Sequence, residues 1–281
     1  MRCFSVHLKE SFPFLGENGC DAVLEVLLPA NLTEMNRQQQ RRPCLLICPG
    51  GGYGMVSQRE AEPIALNYLK EGYNVFLLWY SVAPNRFPQA LREAACAVEL
   101  IHRNAGEWNC DEEHVAIMGF SAGGHLAAHY SNAYAWPEVR QVLPDSKPVQ
   151  ASILCYPVIT ADARNRHLGS FQNLLGTKLP SPEEEARFSC QNMVTGDTPP
   201  TFLWHTAEDT CVPVQNSILY ASALAEHKIP FELHIFPFGH HGLATCDRET
   251  TYGVPSKDIR HTQTWLEESC RWLRLIWDRE K

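Results

Sequence analysis

Three side chains in this sequence form a chemically complete set: Ser121, Asp209 and His241. Ser121 lies in Gly119-Phe120-Ser121-Ala122-Gly123-Gly124, a G-x-S-x-G pattern. Before it runs Val115-Ala116-Ile117-Met118, apolar and of strand length. After it, His125-Leu126-Ala127-Ala128-His129-Tyr130 reads as a helix. A serine at such a strand-to-helix turn projects its hydroxyl above the sheet, and the N–H of the next residue points into the same space. A serine hydroxyl is a poor nucleophile until a base takes its proton, and imidazole does this best near neutral pH. The imidazole in turn needs a carboxylate to hold its tautomer and stabilise the imidazolium. Asp209 and His241 each follow a later strand pattern, so serine, acid and histidine come in that chain order.

Each position has a competitor. Glu208 adjoins Asp209, but Asp209 immediately precedes the loop into a helix opened by Pro213. His240 adjoins His241, but His241 precedes a glycine, which leaves room for its ring to swing over the serine. His205 lies within a strand pattern, where it would satisfy a backbone group. His125 and His129 are four apart on one helix, but no glutamate follows His125, so the H-E-x-x-H zinc pattern is not met. They read as helix-face histidines near the nucleophile. No C-x-x-C pair is present, so a structural zinc site is not expected, and the serine chemistry calls for neither a metal nor another cofactor.

The serine also needs donors for the oxyanion that its attack creates. Pro49-Gly50-Gly51-Gly52-Tyr53-Gly54 follows a strand pattern and lacks the spacing of phosphate- and dinucleotide-binding loops. Its glycines let backbone N–H groups approach a ligand closely, which makes it the expected oxyanion loop. Tyr53 and Trp136 are the nearest aromatic residues to this loop and to the elbow helix, and are candidates to contact a sugar ring or small acyl group.

Strand and helix patterns must position these groups, and they alternate. Strands are expected at 22–28, 43–48, 74–79, 115–118, 151–156, 201–206 and 231–236, with a weaker candidate nearer the N-terminus. Helices are expected at 60–71, beginning near Glu62 because of Pro63, at 88–104, after Ser121, from Pro213, and in one piece from Lys257. The helix from Pro213 would align Val214, Ile218, Ala221 and Leu224, and the last helix Trp265, Leu273 and Trp277. This is the pattern of a doubly wound, mostly parallel α/β sheet. Residues 158–200 break the pattern. Ser181-Pro182-Glu183-Glu184-Glu185 starts one short helix there, with a serine cap, proline in the first turn and acids at the positive end. The segment reads as a cap-like insertion over the carboxyl edge of a single domain spanning 1–281.

The 281 residues can bury a substantial core. A formal charge of −8 argues against nucleic acid or an anionic membrane as partner. The N-terminus has no secretory h-region, and eleven cysteines is an odd number, several of them within apolar patterns. A cytoplasmic protein with free thiols is therefore expected.

The motifs together resemble serine esterases of the α/β-hydrolase superfamily, in the acetyl-xylan-esterase-like and hormone-sensitive-lipase-like branches. The resemblance rests on Pro49-Gly50-Gly51-Gly52-Tyr53, Tyr80-Ser81-Val82-Ala83-Pro84, Phe87-Pro88-Gln89-Ala90-Leu91, the Ser121 elbow, Asp209 with Val212-Pro213, and Gly239-His240-His241-Gly242. It implies a triad of Ser121, Asp209 and His241, oxyanion donors at the N–H groups of Gly51, Gly52 and Ala122, and hydrolysis of short-chain esters such as O-acetyl groups on plant-wall sugars. Feruloyl esterases, arylformamidases and prolyl-oligopeptidase-like peptidases are neighbouring readings, though the last usually bring a propeller domain. A binder on the same fold is the reading from another class; hormone receptors of that kind lack the triad histidine, and His241 is present here. Pro49 is a departure, because lipase-like members usually carry histidine before the glycines.

Overall fold

The computed structural model describes residues 1–16, 19–251, 253 and 257–278. The chain opens with β1 (Arg2–His7), one turn of helix α1 (Leu8–Ser11) and β2 (Val23–Leu28). Then come β3 (Arg42–Cys48), α2 (Glu62–Lys70), β4 (Asn74–Trp79), α3 (Gln89–Arg103), the short α4 (Ala105–Trp108) and β5 (Cys110–Phe120). Helix α5 (Ser121–Ala133) leaves β5 with no residue between them, and the short α6 (Pro137–Arg140) and β6 (Ala151–Cys155) follow. Helices α7 (Leu168–Leu175) and α8 (Pro182–Phe188) precede β7 (Thr201–Thr206), α9 (Gln215–Glu226) and β8 (Phe231–Phe236). The described chain ends with α10 (Lys257–Thr262) and α11 (Trp265–Asp278).

The eight strands form one sheet in the order β1-β2-β4-β3-β5-β6-β7-β8. Pairing is antiparallel for β1 with β2 and β2 with β4, and parallel for the rest. Side chains alternate across the sheet, as the strand period requires. Leu46, Val115 and Ile117 pack on one face with α3 and α5; Leu45, Ile47, Ala116 and Met118 pack on the other with α2 and α11. Two apolar layers thus hold the sheet rigid from both sides. Parallel register also gathers the carboxyl ends: Cys48 lies opposite Gly119, and Phe120 opposite Cys155. The glycine loop, the elbow and the residues after β6 therefore emerge at one edge, where open α/β sheets bind ligands.

Three details differ from the sequence reading. The C-terminal helix is two helices, because the apolar stripe continues across the break and periodicity does not register it. Trp265, the first residue after the break, is fully buried; it stacks on Trp204 at 5.0 Å and donates its indole N–H to the Ala244 carbonyl. Ile218 of α9 is 41 % exposed, and Asn216 and Ser217 face inward instead. That face is polar because it has backbone and histidine to satisfy: Asn216 accepts from the N–H groups of Ile159 and Thr160, and Ser217 meets His205. The 158–200 segment holds α7 as well as α8. Helix α8 has the expected serine cap, extended to a reciprocal box in which Ser181 and Glu184 each take the other's backbone N–H. Helix α7 buries Phe171 and Leu174. Among the described residues no helix is long and apolar enough to cross a membrane.

Candidate active site

Ser121 sits at the first position of α5 with φ of 51°, a left-handed conformation that costs a non-glycine residue about 1–3 kcal/mol. The surroundings impose it. A Cβ on Gly119 would lie 2.1 Å from the Gly123 carbonyl oxygen, and one on Gly123 would lie 2.1 Å from that of Cys48. Only glycine lets α5 start this close to β3 and β5.

The three predicted residues come together. His241 Nε2 is 2.8 Å from Ser121 Oγ, and His241 Nδ1 is 2.6 Å from Asp209 Oδ2. Asp209 Oδ1 accepts from the N–H groups of Cys211 and Val212, both at 2.9 Å. Burial opposes ionisation of Asp209, but hydrogen bonds from His205 and His241, and the charge on His241, outweigh it. Its carboxyl is held well below the usual carboxylate range.

His205 has more to do than satisfy one backbone group. Its Nε2 lies 2.9 Å from the Val212 carbonyl and 3.3 Å from Asp209 Oδ2, while its Nδ1 meets the buried Ser217 hydroxyl at 2.8 Å. Both Nε2 neighbours are acceptors, so the proton is on Nε2 and Ser217 donates to Nδ1. Glu208 takes the Gly239 N–H at 3.1 Å and so ties down the loop carrying His241. His240 is exposed and turned to the His241 carbonyl.

The glycine loop is anchored without the histidine that Pro49 replaces. Tyr80 donates its hydroxyl to the Pro49 carbonyl at 2.7 Å, and the Gly50 N–H donates to Glu60 Oε2 at 2.8 Å. The Gly50 carbonyl accepts from Ser57 N–H, and the Gly51 carbonyl from Gly54 and Met55 N–H. In a trans peptide the N–H points opposite to its carbonyl. Those bonds therefore fix the direction of the Gly51 and Gly52 N–H groups, for which the described residues offer no acceptor. Ala122 follows Ser121 in the first turn of α5, where helix N–H groups lack intrahelical partners.

Gly51, Gly52, Ser121 and His241 line a cleft of about 300 Å³ together with Met55, Ser57, Arg59, Glu60, His167, Cys211 and Gly242. A larger cleft of about 580 Å³ lies between α2 and the C-terminal helices. It shares no lining residue with the first, and burial pushes its Cys270 thiol up to about 12. The smaller cleft is the one onto which Ser121 and His241 open.

Tyr53 and Trp136 line neither cleft, which corrects their assignment as substrate contacts. Tyr53 is 2 % exposed, and its hydroxyl is bound to His125 Nδ1 at 2.9 Å. Trp136 packs edge-on against His129 and under Arg187. His125 and His129 are themselves buried beneath the 158–200 segment. His125 Nε2 meets the Phe188 carbonyl at 2.9 Å, and burial pulls its pKa down to about 4. These residues hold the segment onto α5.

Glu60 and His167 belong to no motif that marks them in the sequence. Glu60 is 3 % exposed, and both its oxygens are used: one by Gly50 N–H, the other by the Tyr156 hydroxyl at 2.7 Å. That hydroxyl also accepts from Ala244 N–H, and the Tyr156 ring lies 5.0 Å from that of His241. Glu60 thus links the glycine loop to the histidine side of the cleft.

A family model described as BD-FAE matches residues 30–224. The chain belongs to the BD-FAE family. This BD-FAE chain is 37 % identical over 245 residues to an endo-1,4-β-xylanase B of Butyrivibrio fibrisolvens, covering 84 % of this chain and 38 % of that protein. It is 34 % identical over 232 residues to an acetylxylan esterase of Xylanibacter ruminicola, covering 81 % and 44 %. The chain thus spans less than half the length of both relatives. A crystal structure of an acetyl ester-xyloside bifunctional hydrolase from Caldicellulosiruptor lactoaceticus superposes with a TM-score of 0.82 at 34 % identity, covering 98 % of this chain and 97 % of that one. The fold of this BD-FAE member is that of the α/β-hydrolase esterases, as its motifs imply.

Proposed function

We propose that this chain is a serine esterase that releases short acyl groups, acetyl above all, from the hydroxyls of xylan-derived sugars. The observation that carries the reading is the continuous chain Asp209–His241–Ser121, with contacts of 2.6 and 2.8 Å, at the cleft edge. The names of the acetylxylan esterase and acetyl ester-xyloside hydrolase relatives support the substrate class. In this reading Ser121 Oγ attacks the ester carbonyl while its proton passes to His241 Nε2. The carbonyl oxygen becomes an oxyanion among the N–H groups of Gly51, Gly52 and Ala122. Collapse expels the sugar alkoxide, which takes the proton from the imidazolium, and leaves an acyl group on Ser121. Water, deprotonated by the same histidine, then releases the acid. Asp209 stays ionised and holds His241 with its proton on Nδ1.

The test is pre-steady-state hydrolysis of p-nitrophenyl acetate followed by acetate release from acetylated xylo-oligosaccharides. A burst of one chromophore per chain, lost in Ser121→Ala, and acetate release without added cofactor are expected. No turnover of any ester would overturn the esterase reading. Turnover of aryl acetate with no acetate from any sugar would remove the substrate class and leave the mechanism.

A further inference from the structure

We propose that His167 is a substrate-binding residue that donates its Nε2–H to an oxygen on the alcohol side of the ester. The inference rests on the esterase reading above and narrows it to hydroxyl-bearing leaving groups. His167 comes from the segment between β6 and β7, just ahead of α7, and not from the sheet that carries the triad. Its ring lines the cleft, with Cε1 3.8 Å from where a Cβ on Gly52 would stand.

The neighbouring hydroxyl sets the tautomer. His167 Nδ1 lies 2.8 Å from Ser170 Oγ, and Ser170 is 1 % exposed. Among the described residues this hydroxyl has no other hydrogen-bond partner. A buried hydroxyl that does not donate forfeits its bond. Ser170 therefore donates to Nδ1, and the neutral ring carries its proton on Nε2. Nε2 has no partner among the described residues and is not sealed off as a buried atom, so its donor is accessible and unused on a ring that lines the cleft. Burial and the nearby His241 hold the ring below the ordinary histidine value, against a weaker opposite pull from Asp209. The ring is thus a neutral donor at neutral pH, not a second cation.

The chemistry of an acetyl ester says where that donor points. An acetyl group has one polar atom, the carbonyl oxygen, and Gly51, Gly52 and Ala122 stand ready for it. A further donor in the same small cleft finds an acceptor only in the alcohol: a sugar hydroxyl or ring oxygen next to the esterified one. An aryl alcohol has none there.

The readout is a ratio of kcat/KM values: acetylated xylotriose, or glycerol monoacetate, over p-nitrophenyl acetate. His167→Ala should lower both ratios about tenfold, equivalent to one neutral hydrogen bond of about 1.4 kcal/mol. His167→Gln, which can again offer an N–H, should bring them back to within about threefold of the wild-type values, the smaller residual that misplacing a retained donor leaves. Ser170→Ala releases the tautomer and should lower the ratios in the same direction, so the test survives if His167→Ala does not fold. Ratios unmoved in every variant, with the wild type active on the sugar, would overturn the role of His167 alone. Wild type that cleaves glycerol monoacetate with a His167-dependent ratio, yet no acetylated sugar, would overturn the sugar reading alone. Wild type that cleaves only the aryl acetate would overturn both.

Discussion

The Glu60 carboxylate holds the Gly50 N–H at 2.8 Å, deep in the protein and ten residues along the chain from it. Its other oxygen holds Tyr156, whose ring packs against His241. One buried side chain thus braces both the glycine loop and, through Tyr156, His241, the oxyanion loop and base of the proposed mechanism. Glu60→Ala should lower kcat by about ten- to a hundredfold with little change in KM, somewhat less than deleting an oxyanion donor outright. Glu60→Gln keeps one acceptor oxygen and should lose less. Steady-state kinetics on an aryl acetate check this; a change confined to KM would contradict it.

Ser121, His241 and Asp209 act as a unit in the proposed mechanism. Ser121→Ala and His241→Ala should each cost several orders of magnitude in turnover, and the double variant little more. Asp209→Asn should cost far more than Glu208→Gln, because Asp209 touches His241 and Glu208 only ties Gly239. The reverse order would move the acid by one residue.

The pH dependence of stability follows from Asp209. Its carboxyl titrates lower in the folded chain than in the unfolded one. The unfolded state therefore binds the proton more readily, and the stabilisation is fully present above the unfolded value of about 3.9. It is lost as the pH falls through the lower folded value. Asp209→Asn should destabilise the protein by about 2 kcal/mol at pH 7, the scale of hydrogen bonds to a charged group. The gap from wild type should close toward pH 2. Urea unfolding at both pH values measures it, and an equal gap at both would rule the linkage out.

Two glycines separate packing from conformational freedom. Gly123→Ala drives a methyl group into the Cys48 and Pro49 carbonyls, so it should abolish the elbow and most of the folded yield. Gly106 lies in helical α4 with nothing within 4 Å of a built Cβ. Gly106→Ala should therefore raise stability by about 0.4–1 kcal/mol through the unfolded chain. Thermal melts of the two variants decide this.

In the proposed reaction the cleft limits the size of the acyl group. At about 300 Å³, shared with the alcohol, it suits two- or three-carbon acyl groups. kcat/KM should fall steeply from acetyl or propionyl to octanoyl esters. An octanoate that matches or beats acetate would overturn the small-acyl reading.

Much of this protein is determined by local sequence. Apolar runs that alternate with helical stripes specify the doubly wound sheet, because each element must bury one face or both. The elbow is legible because Ser121 stands between two glycines where a strand pattern meets a helical one, and the Ser121, Asp209 and His241 set because each member follows a strand. What only the tertiary structure decided concerns groups whose partners are remote in the chain. Glu60 looks like any surface glutamate of a helix start until β6 brings Tyr156 to it, 96 positions away. Tyr53, next to the glycine loop in sequence, turns inward to His125, 72 positions away, and leaves the cleft. The 158–200 segment has no strong period, so α7 and His167 are placed by contact with the rest of the protein. Spacing along a chain fixes which residues share a face or a turn; which of them share a cleft is settled by packing between elements.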